Sequence, residues 1–78
     1  MDIKITDIMM HIDENLNKTQ RDELETFVRE QDGVVALGYH DEKPHLMLIE
    51  YNPDKVSSRD LLSRVQDRGL HAELVGFI

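Results

Sequence analysis

The sequence predicts an α+β sandwich in which two helices cover one face of a four-stranded antiparallel sheet. Apolar residues recur at every second position in four segments, which is typical of strands with one buried face. They recur at every third or fourth position in two other segments, which is typical of amphipathic helices. The order is strand, helix, strand, strand, helix, strand. Two right-handed crossovers then give the strand order 4-1-3-2 of the ferredoxin-like fold.

The first strand is predicted from Ile5 to Ile12, where two kinds of side chain alternate. One side of this strand carries Ile8, Met10 and Ile12, and the other side carries Asp7, Met9 and His11. Such a period of two, with one side wholly apolar, indicates a strand that buries a single face. The side with the aspartate and the histidine is therefore expected on the open face of the sheet.

The first helix is predicted from Gln20 to Gln31. Its apolar stripe, with spacings of three and four, consists of Leu24, Phe27 and Val28. Thr19 is the expected N-cap, with Asp22 and Glu23 in the first turn, where negative charge stabilises a helix. Gly33 is expected to end the helix with a left-handed turn.

A hairpin is predicted next, with strands from Val34 to His40 and from His45 to Tyr51. The turn between them is expected at residues 41–44. The break Asn52-Pro53-Asp54 ends the second of these strands. The two strands are therefore expected to be neighbours in the sheet.

The second helix is expected to be capped by Ser57 or Ser58 and ended by Gly69. Its apolar face consists of Leu61, Leu62 and Val65. The last strand is predicted from Leu70 to Ile78. In it, two apolar residues alternate with three others on the opposite side: Ala72 and Leu74 against His71, Glu73 and Val75.

Composition limits the function that the chain can have. The formal net charge is −7 at pH 7, with a pI of about 4.8, so neither a nucleic acid nor a membrane is an expected partner. The absence of cysteine excludes disulfides, thiolate ligands and a thiol nucleophile. Residues 1–78 are expected to form a single domain. Because there is no signal-like start or apolar run of about 20 residues, the expected location is cytoplasmic.

Two segments carry a recognisable series of features: DGVVALGY and IEYNPDKVSSRDLLSRVQDRGLHAEL. The series is a helix ending in Asp-Gly-Val, a hairpin, a Tyr-x-Pro stretch, and a capped helix ending in glycine and an apolar residue. In this it resembles a heavy-metal-associated domain, the module of copper chaperones and P-type metal ATPases. The resemblance extends from Ile8 to Leu74, with its specific part from Gly33 to Leu74. It implies the same ferredoxin-like fold.

The resemblance fails at the metal site. Heavy-metal-associated domains carry Gly-Met-x-Cys-x-x-Cys between the first strand and the first helix, and the two thiolates hold Cu(I) or another soft ion. Counting back from Asp32 without a gap puts Asn17 and Gln20 at the cysteine positions and Asn15 at that of the methionine. Amide side chains do not compete for Cu(I), which selects sulfur. The comparison thus implies a domain whose CxxC metal motif is degenerate.

Histidines are the remaining candidates for a metal site. The topology places four of them toward one end of the sheet: His11, His40, His45 and His71. By alternation, His11 and His71 point to the open face. With Asp13 or Glu73 they would suit Zn(II), Ni(II) or Cu(II). The alternatives are exposed strand-end residues without a function, or a pH-dependent association. No cofactor is expected beyond this weakly held divalent metal.

The open face is also predicted to carry an apolar patch consisting of Met9, Leu46, Leu48, Val75 and Phe77. An uncovered apolar patch indicates a surface for a protein partner or a homodimer, whereas single exposed apolar residues are ordinary. Nothing indicates an enzyme, since there is no phosphate-binding loop or nucleophile elbow. The leading hypothesis is a non-catalytic interaction module that uses the sheet face. The alternative is a protein that binds metal through histidine and carboxylate.

Overall fold

The computed structural model describes residues 4–40 and 43–77. The side chains of His40 and Phe77 lie outside this description, as do Asp41 and Glu42 of the predicted turn and Ile78 of the predicted last strand. In chain order the elements are β1 (Thr6–Ile12), α1 (Lys18–Arg29), β2 (Val34–His40), β3 (Lys43–Tyr51), α2 (Ser58–Gln66) and β4 (Ala72–Phe77). They confirm the predicted βαββαβ order.

The four strands form one antiparallel sheet in the order β2-β3-β1-β4. This is the predicted order read from the opposite edge, so the ferredoxin-like fold is confirmed. Strand β1 lies in the middle, where Ile8 pairs with Ile49 of β3 and with Phe77 of β4. The two sequence-adjacent strands, β2 and β3, form the predicted hairpin.

The core lies between the helices and one face of the sheet. Alternate residues of β1 and β3 are almost fully buried: Ile8, Met10, Ile12, Met47, Ile49 and Tyr51. The helices close this layer with Leu24, Val28, Leu61 and Val65. Since both helices use the same face, the alternate residues on the other side of β1 and β3 have no helix above them. The predicted one-sided burial is confirmed.

Helix α1 begins two residues earlier than predicted, and its N-cap is Asn17 rather than Thr19. Asn17 Oδ1 accepts a hydrogen bond from the backbone N–H of Gln20 at 2.8 Å. Gln20 Oε1 accepts one from the backbone N–H of Asn17 at 2.9 Å. This reciprocal capping box satisfies two free donors at once. It also leaves the first turn without an acidic residue, so the predicted placement of Asp22 and Glu23 was wrong.

The second helix and the hairpin are close to prediction. Ser57 is the N-cap of α2, with its Oγ accepting from the N–H of Asp60 at 3.0 Å. Gly69 follows α2 with φ of +85°, as a helix-ending glycine requires. Strand β3 begins at Lys43, which pairs with His40, so the connection is shorter than the predicted four residues.

Strand β4 departs from simple alternation. Met9 pairs with Gly76 and Met10 with Leu74, so Val75 is an extra residue in a β-bulge. A bulge interrupts the period of two, and the predicted placement of Phe77 depended on that period.

Within the described ranges, neither helix has the length and apolar character to cross a bilayer.

Candidate functional site

The uncovered face of the sheet consists of rows of residues that run across the strands. We define the central row as Gly38, Leu48, Met9 and Gly76, which are successive partners across β2, β3, β1 and β4. Leu48 is 37% exposed. At either glycine, apart from the glycine itself and its two chain neighbours, no described atom lies within 4 Å of the position that a Cβ would occupy. The side chains of Leu48 and Met9 are therefore flanked on both sides by glycine backbone that no side chain covers.

The predicted apolar patch shares Met9 and Leu48 with this row and extends beyond it. Met9, Leu46 and Leu48 line a shallow depression of about 290 Å³ together with Lys43. Val75, at the β4 bulge, is 50% exposed. The side chain of Phe77, the fifth predicted member, lies outside the described part of the chain.

One end of the face carries a pair of like charges. Asp7 and Glu50 are directly opposite each other on β1 and β3. Like charges in this relation destabilise a sheet. Across the described residues, neither carboxylate has an ion-pair partner. This end of the face therefore attracts a positively charged group.

The other end of the face carries a histidine and two carboxylates. His11 pairs with Glu73 of β4. Asp13 follows the end of β1, and its backbone N–H donates to the carbonyl oxygen of His71 at 2.8 Å. One ligand atom each from His11, Asp13 and Glu73 lies within 4.8 Å of the others. The structure thus brings together three of the four predicted metal ligands.

His71, the fourth predicted ligand, contacts Glu14 instead. Its Nδ1 lies 2.7 Å from Glu14 Oε2, and its backbone N–H donates to both carboxylate oxygens at 2.9 and 3.1 Å. These hydrogen bonds lower the pKa of the Glu14 carboxyl from its ordinary value of 4.5. The bond with Glu14 in turn raises the pKa of the His71 imidazole from its ordinary value of 6.5.

His45 lies at the predicted end of the sheet, but the sequence did not indicate its contacts. Its ring stacks on that of His11 with centroids 5.6 Å apart and planes at 18°. Its Nδ1 lies 2.6 Å from the carbonyl oxygen of Ile12, so Nδ1 is the protonated nitrogen. Alternation assigns a face to each strand residue, but it does not describe the chain beyond a strand end. For that reason the contact of Glu14, which lies beyond the end of β1, was missed. His45 lies within β3, where alternation assigns a face but does not identify the ring or carbonyl that a side chain contacts.

Asn17 and Gln20, which the resemblance aligns with the metal-binding cysteines, lie at the start of α1. Each side-chain oxygen accepts a backbone N–H of the other residue. The loop therefore caps a helix, and these two oxygens are engaged by it.

Comparison with known proteins gives structural relatives only. No family model matches the chain, and no curated protein matches it. A copper binding domain from HMA7, a P-type ATPase, has a TM-score of 0.82 and 15% identity, over 92% of this chain and 96% of that chain. The N-terminal domain of a potential copper-translocating P-type ATPase from Bacillus subtilis, in the Cu(I)-loaded state, has a TM-score of 0.84 and 20% identity, over 96% of this chain and 92% of that chain. Likeness at these identities is one of fold. The chain therefore has the heavy-metal-associated-domain fold that its sequence resembles, without any cysteine.

Proposed function

We propose that this chain is a non-catalytic interaction module whose uncovered sheet face docks a second copy of the chain. The observation that carries the proposal is the central row, where Leu48 and Met9 are flanked by Gly38 and Gly76. Apolar side chains standing beside bare backbone form a surface that another apolar surface can fit. Burial of this row is the expected driving force for association.

The charges on the face select one arrangement of the two copies. Asp7 and Glu50 lie at one end of the face. The other end carries Lys43 and His11 beside the carboxylates of Asp13 and Glu73, so it is the less negative of the two. A two-fold axis that runs across the strands puts the carboxylate end of one copy over the Lys43 end of the other. An axis along the strands would put the carboxylate pair over its own counterpart, which like-charge repulsion disfavours. The first arrangement is therefore the one proposed.

The proposed association is weak. A stable interface buries roughly 800 Å² on each partner, and the total accessible surface of the described residues is only 5190 Å². One face of a small four-stranded sheet supplies an area at the low end of what stable interfaces bury. The net charge of −7 also opposes self-association. We therefore expect a dissociation constant in the micromolar range or weaker.

Sedimentation velocity over concentrations from about 10 to about 500 µM tests this proposal. The wild type should shift toward the dimer as its concentration rises, and Leu48→Asp should remain monomeric because it puts a carboxylate in the central row. Thr19→Asp adds the same charge to the exposed side of α1 and should dimerise as the wild type does. A wild type that stays monomeric throughout, or equal effects of the two variants, would show the proposal to be wrong.

The second candidate function, metal binding through histidine and carboxylate, is favoured by one observation. The ligand atoms of His11, Asp13 and Glu73 lie within 4.8 Å of one another. This arrangement is a separate feature of the same face and does not require a dimer.

A further inference from the structure

We infer that His11, Asp13 and Glu73 form a binding site for one divalent first-row transition-metal ion, of the Zn(II), Co(II) or Ni(II) class. The site is distinct from Asn17 and Gln20, the residues that the resemblance aligns with the metal-binding cysteines and that cap α1. It consists of one nitrogen and two oxygen ligands, and the inference rests on the second candidate function, metal binding.

The backbone fixes the relative positions of the three ligands. His11 and Glu73 are direct partners in the β1–β4 ladder, so their side chains leave the same face of the sheet side by side. Asp13 is held by the next backbone hydrogen bond between the two segments, in which its N–H donates to the carbonyl oxygen of His71 at 2.8 Å. Two neighbouring strands therefore supply the ligands on a paired stretch of backbone.

The bonding of His11 is incomplete without an ion. Its Nδ1 is inaccessible to solvent and makes no hydrogen bond to any described residue. Asp13 Oδ1 lies 3.0 Å from this nitrogen, a contact that becomes an ion pair only when the imidazole is protonated. A buried nitrogen without a hydrogen bond, beside two carboxylates, is the arrangement that a cation between them would satisfy.

The donor atoms select the class of ion. Imidazole nitrogen and carboxylate oxygen suit Zn(II) and its neighbours, whereas Cu(I) selects sulfur. Two carboxylates match the charge of a divalent ion. Metal–ligand bonds of about 2.0–2.2 Å require the ligand atoms to approach to about 3.3–3.6 Å. The Asp13 side chain is 61% exposed and Glu73 is exposed, so both can make this movement by rotation.

Space for further ligands lies next to the site. Asp13, His71 and Glu73 line a depression of about 450 Å³ at the β4 edge, together with Gln66, Leu70 and Ala72. Three protein ligands leave at least one coordination position open, and this depression allows water to fill it. An exposed site of this kind holds its ion in exchange with solvent rather than permanently.

Titration of the protein with zinc chloride, followed by NMR of the imidazole nitrogens, tests the inference. We expect about one equivalent of Zn(II) to shift the ring nitrogens of His11 selectively. Affinity, measured by calorimetry, should fall at least about tenfold in His11→Asn and in Glu73→Gln. His71→Asn is the matched control, because His71 is bonded to Glu14, and its affinity should stay within about twofold of the wild type.

The amide spectrum of each variant shows whether its fold is intact, so loss of binding is not confused with unfolding. The inference is overturned if Zn(II) causes no shift at His11 at millimolar concentration. It is equally overturned if His71→Asn weakens binding as much as His11→Asn does. Neither result bears on dimerisation, which is measured without metal.

Discussion

Asn17 and Gln20 show at the scale of single residues why a resemblance does not transfer a function. The resemblance aligns these two amides with a pair of metal-binding thiolates. In the structure they bond to each other's backbone at 2.8 and 2.9 Å and begin α1. The spacing of three residues suits a capping box just as it suits a chelate. The side-chain atoms at these positions therefore decide what the residues do. Here they are amide oxygens, which accept hydrogen bonds from the first turn of the helix.

The contact between Glu14 and His71 predicts a stability that depends on pH. The folded-state pKa of Glu14 is lowered and that of His71 is raised. Their contribution is therefore fully present between 4.5 and 6.5, the ordinary values of the two groups. It is lost as the pH falls through the lowered pKa of Glu14, and it is lost as the pH rises through the raised pKa of His71.

NMR titration of the His71 imidazole in Glu14→Gln measures this coupling. We expect the pKa of His71 to fall toward 6.5, because the variant removes the carboxylate bonded to its Nδ1. Glu23→Gln removes an equal charge from the exposed part of α1 and should leave the pKa of His71 unchanged. An identical pKa of His71 in the wild type and in Glu14→Gln would contradict the observed contact.

At the scale of elements, strand alternation was predictable and its interruption was not. The buried side of β1 was correctly predicted from the alternation of Ile8, Met10 and Ile12. The bulge at Val75 was not, because Leu74-Val75-Gly76 contains no pattern that distinguishes a bulge from a regular strand. A bulge depends on the partner strand as well, and one segment read alone does not contain that information.

The turn between α1 and β2 supports a prediction about stability. Gly33 has φ of +97°, and a Cβ there would lie 2.8 Å from Val56 Cγ1 and 2.9 Å from Lys55 Cβ. Gly69 has φ of +85° with nothing within 4 Å. Gly69→Ala should therefore cost only the strain of a left-handed residue, about 1–2 kcal/mol. Gly33→Ala should cost about 1–3 kcal/mol more, because it also overpacks the loop against buried Val56.

Denaturation in urea measures both variants, with the free energy of unfolding taken from the midpoint at constant slope. Gly69→Ala serves as the control for backbone strain alone. Equal losses in the two variants would mean that the loop at Lys55 and Val56 moves away without cost, and that Gly33 is required only for its conformation.

At the scale of the whole molecule, the fold is predictable because six segments each indicate their own structure. Four segments show the strand period of two, and two show the helical spacing of three and four. Every element contributes an independent signal, so an error of one or two residues, as at the start of α1, leaves the topology unchanged. The site has no such repetition. His11 and Glu73 were predicted from their faces, while His71 was assigned to the same group although it lies one residue before β4 and bonds to Glu14. One residue at a strand end is enough to alter a set of ligands.

The same uncovered face carries the apolar row, the carboxylate pair and the proposed metal site, while the core lies wholly on the other side. The two surfaces of the sheet thus have separate roles. One stabilises the fold through the helices, and the other is proposed to meet a partner. We propose that two copies of the chain associate through this second surface.

An amide NMR spectrum recorded across a dilution series without metal tests that claim residue by residue. We expect the resonances of the central row to move with concentration, because these residues lie in the proposed interface: Gly38, Leu48, Met9 and Gly76. Resonances on the exposed sides of α1 and α2 should stay in place. Shifts confined to the helices, or no shift at any residue up to about 1 mM, would contradict it.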